Sequence, residues 1–283
     1  MPLPRLLLLT LLTLVAFAAN SVLCRLALFE ERMDPALFTL LRLTSGALVL
    51  FLLCSARRPT PARQGDWAGA LCLVIYGAAF SFAYLTLTTG TGALLLFAAV
   101  QLSMLAPPLL RGERLPPFQW AGLLLAMAGL ILLLLPGISA PDPLGAVLMV
   151  AAGIAWACYT LRAPRFSDPV AANAGHFLMA SLPAALLYLW LGQLNASPTA
   201  IGYALASGGL ASGLGYALWY QVLPQLGRTL AASIQLLVPP LALLAGLILL
   251  DESGSWRLLL SSLGILGGIA LVIAGRTPQG DKS

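Results

Sequence analysis

Charged residues are scarce in this sequence: Asp, Glu, Lys and Arg make up only 9% of its 283 residues, against 60% hydrophobic residues. A soluble domain could not bury that much apolar surface, and the apolar blocks lack the polar stripe that a soluble helix carries. Each block is roughly 20 residues long, the length that an α-helix needs to cross a bilayer. The composition therefore predicts an all-α integral membrane protein, with the lipid bilayer as its solvent.

Several enzyme and metal motifs are missing as well. There is one histidine and no HExxH motif, which argues against a zinc site, and no Walker motif for ATP-driven pumping. The four cysteines lie in apolar blocks and form neither a metal motif nor a disulfide framework. Lys and Arg are dispersed over short loops, so no basic face predicts nucleic-acid binding. We therefore expect no cofactor, no metal, no nucleic-acid partner and no enzymatic activity.

One enzymatic alternative stays open, a polytopic membrane protease of the rhomboid type. Such a protease needs a serine nucleophile beside a histidine base in apposed helices. Ser212 and His176 are the one pair that we can propose, and the residues around them form neither expected motif.

Ten apolar blocks follow one another with short connections, so consecutive helices are expected to run antiparallel. The first block also resembles a secretory signal peptide, but its apolar run continues towards Phe29 and we interpret it as a helix. The predicted transmembrane helices cover residues 6–29, 35–54, 67–87, 90–110, 117–136, 143–162, 169–191, 198–222, 229–250 and 256–274.

Loop cations predict the orientation, because Lys and Arg accumulate on the cytoplasmic side of a membrane protein. With both termini in the cytoplasm, only Arg32 and Arg257 face outwards. The cytoplasmic side then holds Arg5, Arg57, Arg58, Arg63, Arg111, Arg114, Arg162, Arg165, Arg228, Arg276 and Lys282. This distribution agrees with an even number of helices.

The two halves of the sequence show a weak internal repeat. Two residue pairs fix one register: Glu113 with Glu252 and Gly129 with Gly268, each 139 positions apart. The first helix, which ends at Arg25, aligns with the sixth, which ends at Arg162, at an offset of 137. Because each half holds five helices, the second copy enters the membrane upside down. We predict two inverted five-helix repeats, residues 1–137 and 138–283, with a substrate site near the midplane between them.

The helix-end segments LLRGERL and LILLDES, the ninth helix with Pro239 and the sixth helix IAWACYTLR resemble the drug/metabolite transporter superfamily, in its ten-helix EamA-type exporter branch. The resemblance implies alternating access, export of small metabolites such as amino acids or related amphiphilic compounds, and residence in a bacterial inner membrane. The sequence departs from the family pattern at Val100, where a proline is expected, and at Ala18-Ala19-Asn20, which lacks a tryptophan.

Polar residues at membrane depth are costly unless they pair or face a cavity, so each is a candidate site residue. The predicted helix cores contain no Asp or Glu. Arg42 is the deepest permanent charge, and it either grips a substrate carboxylate or snorkels to the outer surface. For Arg25, nearer the helix end, snorkelling is the favoured interpretation. His176 either binds a transported proton or packs as a hydrogen-bonded core residue.

Amide and aromatic side chains complete the predicted cavity. Instead of lining a cavity, the amide side chains could form hydrogen bonds between helices. The aromatic side chains could instead form a belt at the membrane surface. The predicted substrate-binding residues are Asn20, Arg42, Tyr84, Gln101, Trp156, Tyr159, His176, Tyr216, Trp219 and Gln235.

Two proline pairs are candidate gates. Pro107-Pro108 and Pro239-Pro240 lie in paired helices of the two halves and remove backbone donors there, so each pair is expected to kink its helix. A static packing kink is the alternative. Taken together, the sequence predicts a secondary transporter, an exporter of small organic solutes, working as a monomer or homodimer.

Overall fold

The computed structural model describes residues 1–55, 65–110, 116–137, 140–162 and 165–274, and these contain helices and turns without any strand. The predicted all-α fold is confirmed. Several residues used above lie outside the described ranges: Arg57, Arg58, Arg63, Arg111, Glu113, Arg114, Arg276 and Lys282, as do the side chains of Pro108 and Arg228.

The described part of the chain forms ten helices, the number predicted. Two of them contain π-helical segments, in which the backbone is wound more widely than in an α-helix. The helices are α1 (Leu3–Arg25, then π-helical Leu26–Glu30), α2 (Pro35–Ser55), α3 (Trp67–Ala83), α4 (Thr89–Leu110), α5 (Pro117–Leu134), α6 (Pro143–Arg162), α7 (Pro169–Leu191), α8 (Pro198–Ala206, then π-helical Ser207–Leu214, then Gly215–Gln235), α9 (Val238–Leu249) and α10 (Trp256–Ala274).

The surface of the bundle is that of a membrane protein. Six of the described helices, α1, α2, α5, α6, α7 and α10, are long and apolar enough to cross a membrane, and shorter apolar helices accompany them. Large apolar side chains such as Leu7, Phe51, Leu186 and Ile248 are exposed, whereas Asn20, Arg42 and other polar side chains are buried. A multi-pass membrane protein is therefore shown.

The boundary between the eighth and ninth helices differs from the prediction. The helical backbone runs on to Gln235, a turn follows at 236–237, and α9 begins at Val238. Tyr216 and Gln235 line one cavity, although a straight helix would hold them about 28 Å apart. The helix therefore bends sharply within this stretch, which contains Pro224.

Helices that lie five apart in chain order pack against each other: α5 on α10, α2 on α7, and α4 on α9. Each of these pairs is antiparallel. Gly122 near the start of α5 approaches Val272 near the end of α10, Asp34 before α2 bonds to Asn195 after α7, and Thr89 at the start of α4 bonds to Glu252 after α9.

The α5–α10 contact depends on glycine, and two adjacent glycines test it. A Cβ on Gly268 would lie 2.4 Å from the backbone nitrogen of Ala126 and the backbone oxygen of Gly122, whereas a Cβ on Gly267 would meet nothing within 4 Å. We expect Gly268→Ala to lower the thermal unfolding midpoint by several degrees, since overpacking costs about 1–3 kcal/mol. Gly267→Ala should leave that midpoint unchanged or raise it. Equal midpoints for the two variants in detergent would contradict this close packing.

Candidate functional site

A cavity lined mainly by aromatic rings lies where α1, α3, α4, α6 and α8 meet. Its volume is about 30 Å³, room for about two water molecules. Its lining combines two amides, a hydroxyl and a majority of aromatic rings: Phe17, Asn20, Ser21, Tyr76, Phe80, Leu96, Phe97, Trp156, Tyr216 and Gln235. Four of the predicted site residues are thereby brought together: Asn20, Trp156, Tyr216 and Gln235. We call this space the central cavity.

Arg42 lies directly beside the central cavity, behind Tyr76 and Phe80. Its side chain is 1% exposed, so the guanidinium faces the interior of the bundle and does not snorkel to the surface. Nη2 donates to the Tyr76 hydroxyl at 2.9 Å, and Nε donates to Ser212 Oγ at 3.4 Å. The guanidinium carbon lies 4.9 Å from the Tyr76 ring centre and 4.8 Å from that of Phe80.

No carboxylate neutralises Arg42 among the residues that the structure describes. Its Nη1 has no hydrogen-bond partner either. Hydroxyl groups and ring faces stabilise the cation in part, through hydrogen bonds and cation–π attraction. The site thus holds a buried positive charge with unused donor capacity.

The π-helical segment of α8 joins Arg42 to the cavity. Asn20 Nδ2 donates to Ser212 Oγ at 3.3 Å, and the Ser207 hydroxyl donates to Asn20 Oδ1 at 2.5 Å. This contact needs glycine, because a Cβ on Gly208 would lie 2.1 Å from the backbone oxygen of Arg42. π-helical turns are frequent at functional sites, where they re-aim side chains. Here the segment brings both serines to Asn20.

The aromatic rings near the cavity form a connected cluster in the interior. Trp156 lies 4.9 Å from Tyr76, 4.9 Å from Tyr216 and 5.5 Å from Tyr159, measured between ring centres. Tyr159 and Tyr216 are buried. These rings therefore do not belong to a belt at the membrane surface.

Three predicted site residues lie away from the central cavity. Tyr84 packs against Phe80 and donates to the backbone oxygen of Thr89. Gln101 lines a separate small cavity between α4, α5 and α10, and Trp219 packs on Phe17 in an apolar cluster.

A second polar group, the Asp66 cluster, consists of Asp66, Tyr159, Arg162, Asn173 and His176. Asp66 caps α3 by accepting from the Gly69 amide at 2.6 Å, and it forms an ion pair with Arg162 at the end of α6. His176 Nε2 lies 3.5 Å from Asp66 Oδ1, and His176 Nδ1 lies 3.1 Å from the Tyr159 hydroxyl, which also donates to Asn173 Oδ1. The cluster joins α3, α6 and α7.

The charge of Asp66 is stabilised by its partners. Partial burial favours the neutral acid, but the Gly69 amide and the Arg162 guanidinium outweigh it and lower the pKa of Asp66 below its ordinary value. Asp66 therefore stays ionised through the neutral pH range.

The Glu252 cluster lies at the opposite end of the bundle. Both Glu252 oxygens accept from the Thr89 amide, at 2.8 and 2.9 Å, and Arg25 Nε lies 3.5 Å from Oε1. Arg25 also donates to the backbone oxygen of Tyr84 at 3.0 Å and lies over the Phe29 ring. Arg25 is 7% exposed and turned between helices, so the snorkelling interpretation was wrong.

The proline pairs differ in their effect. Pro239 and Pro240 lie in the first turn of α9, just after the turn at 236–237, where a missing backbone N–H costs nothing. Pro107 and Pro108 lie inside α4, whose described backbone stays helical to Leu110. A break in the helix therefore lies beside Pro239 and Pro240, whereas the described backbone of α4 continues through Pro107 and Pro108.

The proposed protease pair is not assembled. Ser212 bonds to Asn20 and Arg42, whereas His176 contacts Tyr159 and Asp66, and no hydrogen bond joins Ser212 to His176. A histidine base must be within hydrogen-bond reach of its serine. The geometry does not favour a protease.

Sequence reasoning missed several residues of the site. Tyr76 and Phe80 were not selected, although they lie four residues apart and therefore on one face of α3, a spacing that would have indicated a pair of rings facing the cavity. Asp66 was not selected because it lies in a loop next to the predicted helix.

A ten-helix membrane bundle around an interior cavity that carries a few polar side chains is typical of a membrane carrier. The model of the EamA-like transporter family matches this chain twice, over residues 5–135 and 143–274. The chain belongs to the EamA-like transporter family, within the drug/metabolite transporter superfamily.

Individual relatives agree in length and fold. An uncharacterized protein of Pseudomonas aeruginosa, PA1977, is 54% identical over 279 residues, covering 98% of this chain and 97% of the relative. An uncharacterized transporter of Archaeoglobus fulgidus is 25% identical, with 94% and 96% covered. A crystal structure of a protein with 23% identity superposes with a TM-score of 0.66 over 93% of this chain and 97% of its own, which shows the shared fold.

Proposed function

We propose that this transporter exports small organic solutes that carry a carboxylate, such as amino acids and related amphiphilic compounds. The observation that carries this proposal is the buried Arg42 guanidinium, which has no carboxylate partner among the described residues and one unbonded nitrogen. A buried charge without a counter-ion is costly, so a protein keeps one where a ligand completes it. Guanidinium binds carboxylates in a two-pronged geometry that ammonium cannot reproduce.

The surroundings of Arg42 fit the rest of such a solute. Asn20 and Gln235 supply amide donors and acceptors on the cavity wall, suited to an amino group or a hydroxyl. Tyr76, Trp156 and Tyr216 supply ring faces for an apolar or cationic portion. Arg42 reaches the cavity when Tyr76 and Phe80 move, and the small cavity volume then grows.

Alternating access is the proposed mechanism, with residues 1–137 and 138–283 as two inverted repeats that rock around the central cavity. The antiparallel packing of α5 on α10, α2 on α7 and α4 on α9 supports this arrangement, as do the two family matches. The Asp66 and Glu252 clusters each join the two halves, at opposite ends. Breaking one while the other holds would open the cavity to one side at a time.

The distribution of loop cations supports a cytoplasmic location for both termini, in a bacterial inner membrane. The Asp66 end of the bundle then faces the cytoplasm. Solute would enter there and leave at the Glu252 end, which is the direction of export.

Flux through the purified protein tests this function. Proteoliposomes loaded with unlabelled amino acids or aromatic monocarboxylates are diluted into the same compound in labelled form, one compound at a time, and exchange is followed. We expect saturable exchange for a subset of the carboxylates, and none for their amides. Exchange that equals protein-free liposomes for every compound, or exchange of amides alone, would contradict the proposal.

A further inference from the structure

His176 is the only histidine of the chain, and the structure places it between two oxygen atoms. Its side chain is 3% exposed on α7. Nδ1 lies 3.1 Å from the Tyr159 hydroxyl, and Nε2 lies 3.5 Å from Asp66 Oδ1 with no hydrogen-bond partner. Each ring nitrogen therefore faces one oxygen.

The hydrogen bonds around Tyr159 decide what each nitrogen must carry. The Tyr159 hydroxyl donates its single proton to Asn173 Oδ1, so towards His176 it offers only a lone pair. With the Asn173 amide turned this way, Nδ1 carries a hydrogen that it donates to Tyr159. In a neutral imidazole the other nitrogen, Nε2, would direct a lone pair at the Asp66 carboxylate, and two acceptors would repel each other. A second proton, on Nε2, converts that repulsion into an attractive contact.

From this geometry we infer that His176 is a proton-binding site, and that the bound proton holds the Asp66 end of the bundle closed. The inference rests on the proposed transport function. The ordinary pKa of a histidine imidazole is about 6.5. Histidine is therefore the one side chain whose unperturbed pKa lies near neutral pH. Asp66 stays ionised there, so His176 is the group whose charge changes.

The other groups facing His176 are consistent with this role. Two charged groups face this side of the ring: the Asp66 carboxylate at the start of α3, and the Arg162 guanidinium at the end of α6, which forms an ion pair with that carboxylate. Tyr220 of α8 lines the same small cavity as His176 and is neutral near pH 7. α2 also packs on α7, and its one charged residue is Arg42.

The consequence for transport follows from linkage. The closed conformation presents Asp66 to His176, so it holds the proton more tightly than a conformation in which α3, α6 and α7 have separated. Acidification on the Asp66 side therefore slows the opening of that end of the bundle. A rise in pH that removes the proton from His176 makes this opening faster. We expect flux to increase several-fold as the pH on that side rises through the range in which His176 loses its proton.

One histidine gives one imidazole signal, so nitrogen NMR on protein labelled at histidine measures the proton directly, without any substrate. We expect the neutral ring to carry its hydrogen on Nδ1, and Asp66→Asn to lower the pH at which Nε2 is protonated. Asp142→Asn is the matched control, because Asp142 caps α6 through the Gly145 amide as Asp66 caps α3. That variant should titrate like the wild type.

Flux measurements supply the second arm. His176→Gln should retain exchange and lose this dependence on pH, with Asp142→Asn again unchanged. A neutral ring with its hydrogen on Nε2 and a titration indifferent to Asp66→Asn would overturn the inference, as would pH-dependent flux that survives in His176→Gln. Absence of flux with every compound, beside the expected NMR titration, would instead contradict the transport function and leave the proton site standing.

Discussion

Replacing Arg42 by methionine is expected to abolish exchange of carboxylate-bearing solutes while leaving the protein folded. Losing one partner of a buried charge pair costs about 2–5 kcal/mol, which lowers the exchange rate at low solute concentration at least about 30-fold. Methionine keeps much of the side-chain length and suits an interior surrounded by Tyr76 and Phe80. The measurement is initial exchange in proteoliposomes, with size-exclusion profile and thermal midpoint as checks of folding.

Two further variants separate charge from geometry. Arg42→Lys keeps the cation but loses the planar, two-pronged guanidinium that contacts Tyr76 and Ser212, so exchange should fall less than in Arg42→Met and remain below the wild type. Arg5→Met removes an exposed arginine and should change nothing. If Arg42→Met is well folded and exchanges carboxylates at the wild-type rate, Arg42 does not bind the substrate.

The sequence predicted the helices well because each is a local feature. The length of an apolar segment indicates whether it can form a transmembrane helix. The helices α2, α6, α7 and α10 begin within a residue of their predicted starts. The end of α3 was predicted at residue 87 and lies at Ala83, because the apolar run continues through a turn. Hydropathy alone does not distinguish an apolar turn from an apolar helix.

The candidate site was only partly predictable, since its contacts join residues far apart in sequence. Depth in the membrane singled out Arg42, but its neighbour Ser212 is 170 positions away. That contact depends on the wide turns of the π-helical segment and on the close approach at Gly208, and neither follows from residue spacing alone. The partner of Arg25 was missed for the same reason. The sequence places Glu252 in a loop, but the packing of α9 on α4 buries its side chain beside Arg25.

Glu252→Gln is the second change expected to have a large effect, here on stability. Glu252 is 9% exposed at its side chain, and it accepts from the Thr89 amide at the start of α4, from the Thr89 hydroxyl at 3.0 Å, and pairs with Arg25. The first amides of a helix have no partner within it, and a negative charge there is favourable. Removing that charge leaves Arg25 buried without a counter-ion, which costs about 3–5 kcal/mol.

The neighbouring acid provides a matched control. Asp251→Asn also removes one negative charge, but Asp251 is exposed and has a left-handed backbone (φ of 48°) that asparagine tolerates. We expect Glu252→Gln to lower the thermal midpoint by several degrees and Asp251→Asn to leave it nearly unchanged. Equal midpoints would show that the ion pair contributes nothing.

The double variant Arg25→Met with Glu252→Gln distinguishes a lost counter-ion from a lost cap. A buried pair replaced by apolar or neutral groups costs little, because no charge is left unpaired. If the unpaired Arg25 causes the damage, the double variant should be more stable than Glu252→Gln alone. If the damage comes from the uncapped start of α4, Arg25→Met gives no recovery, because the Thr89 amide still faces a neutral side chain.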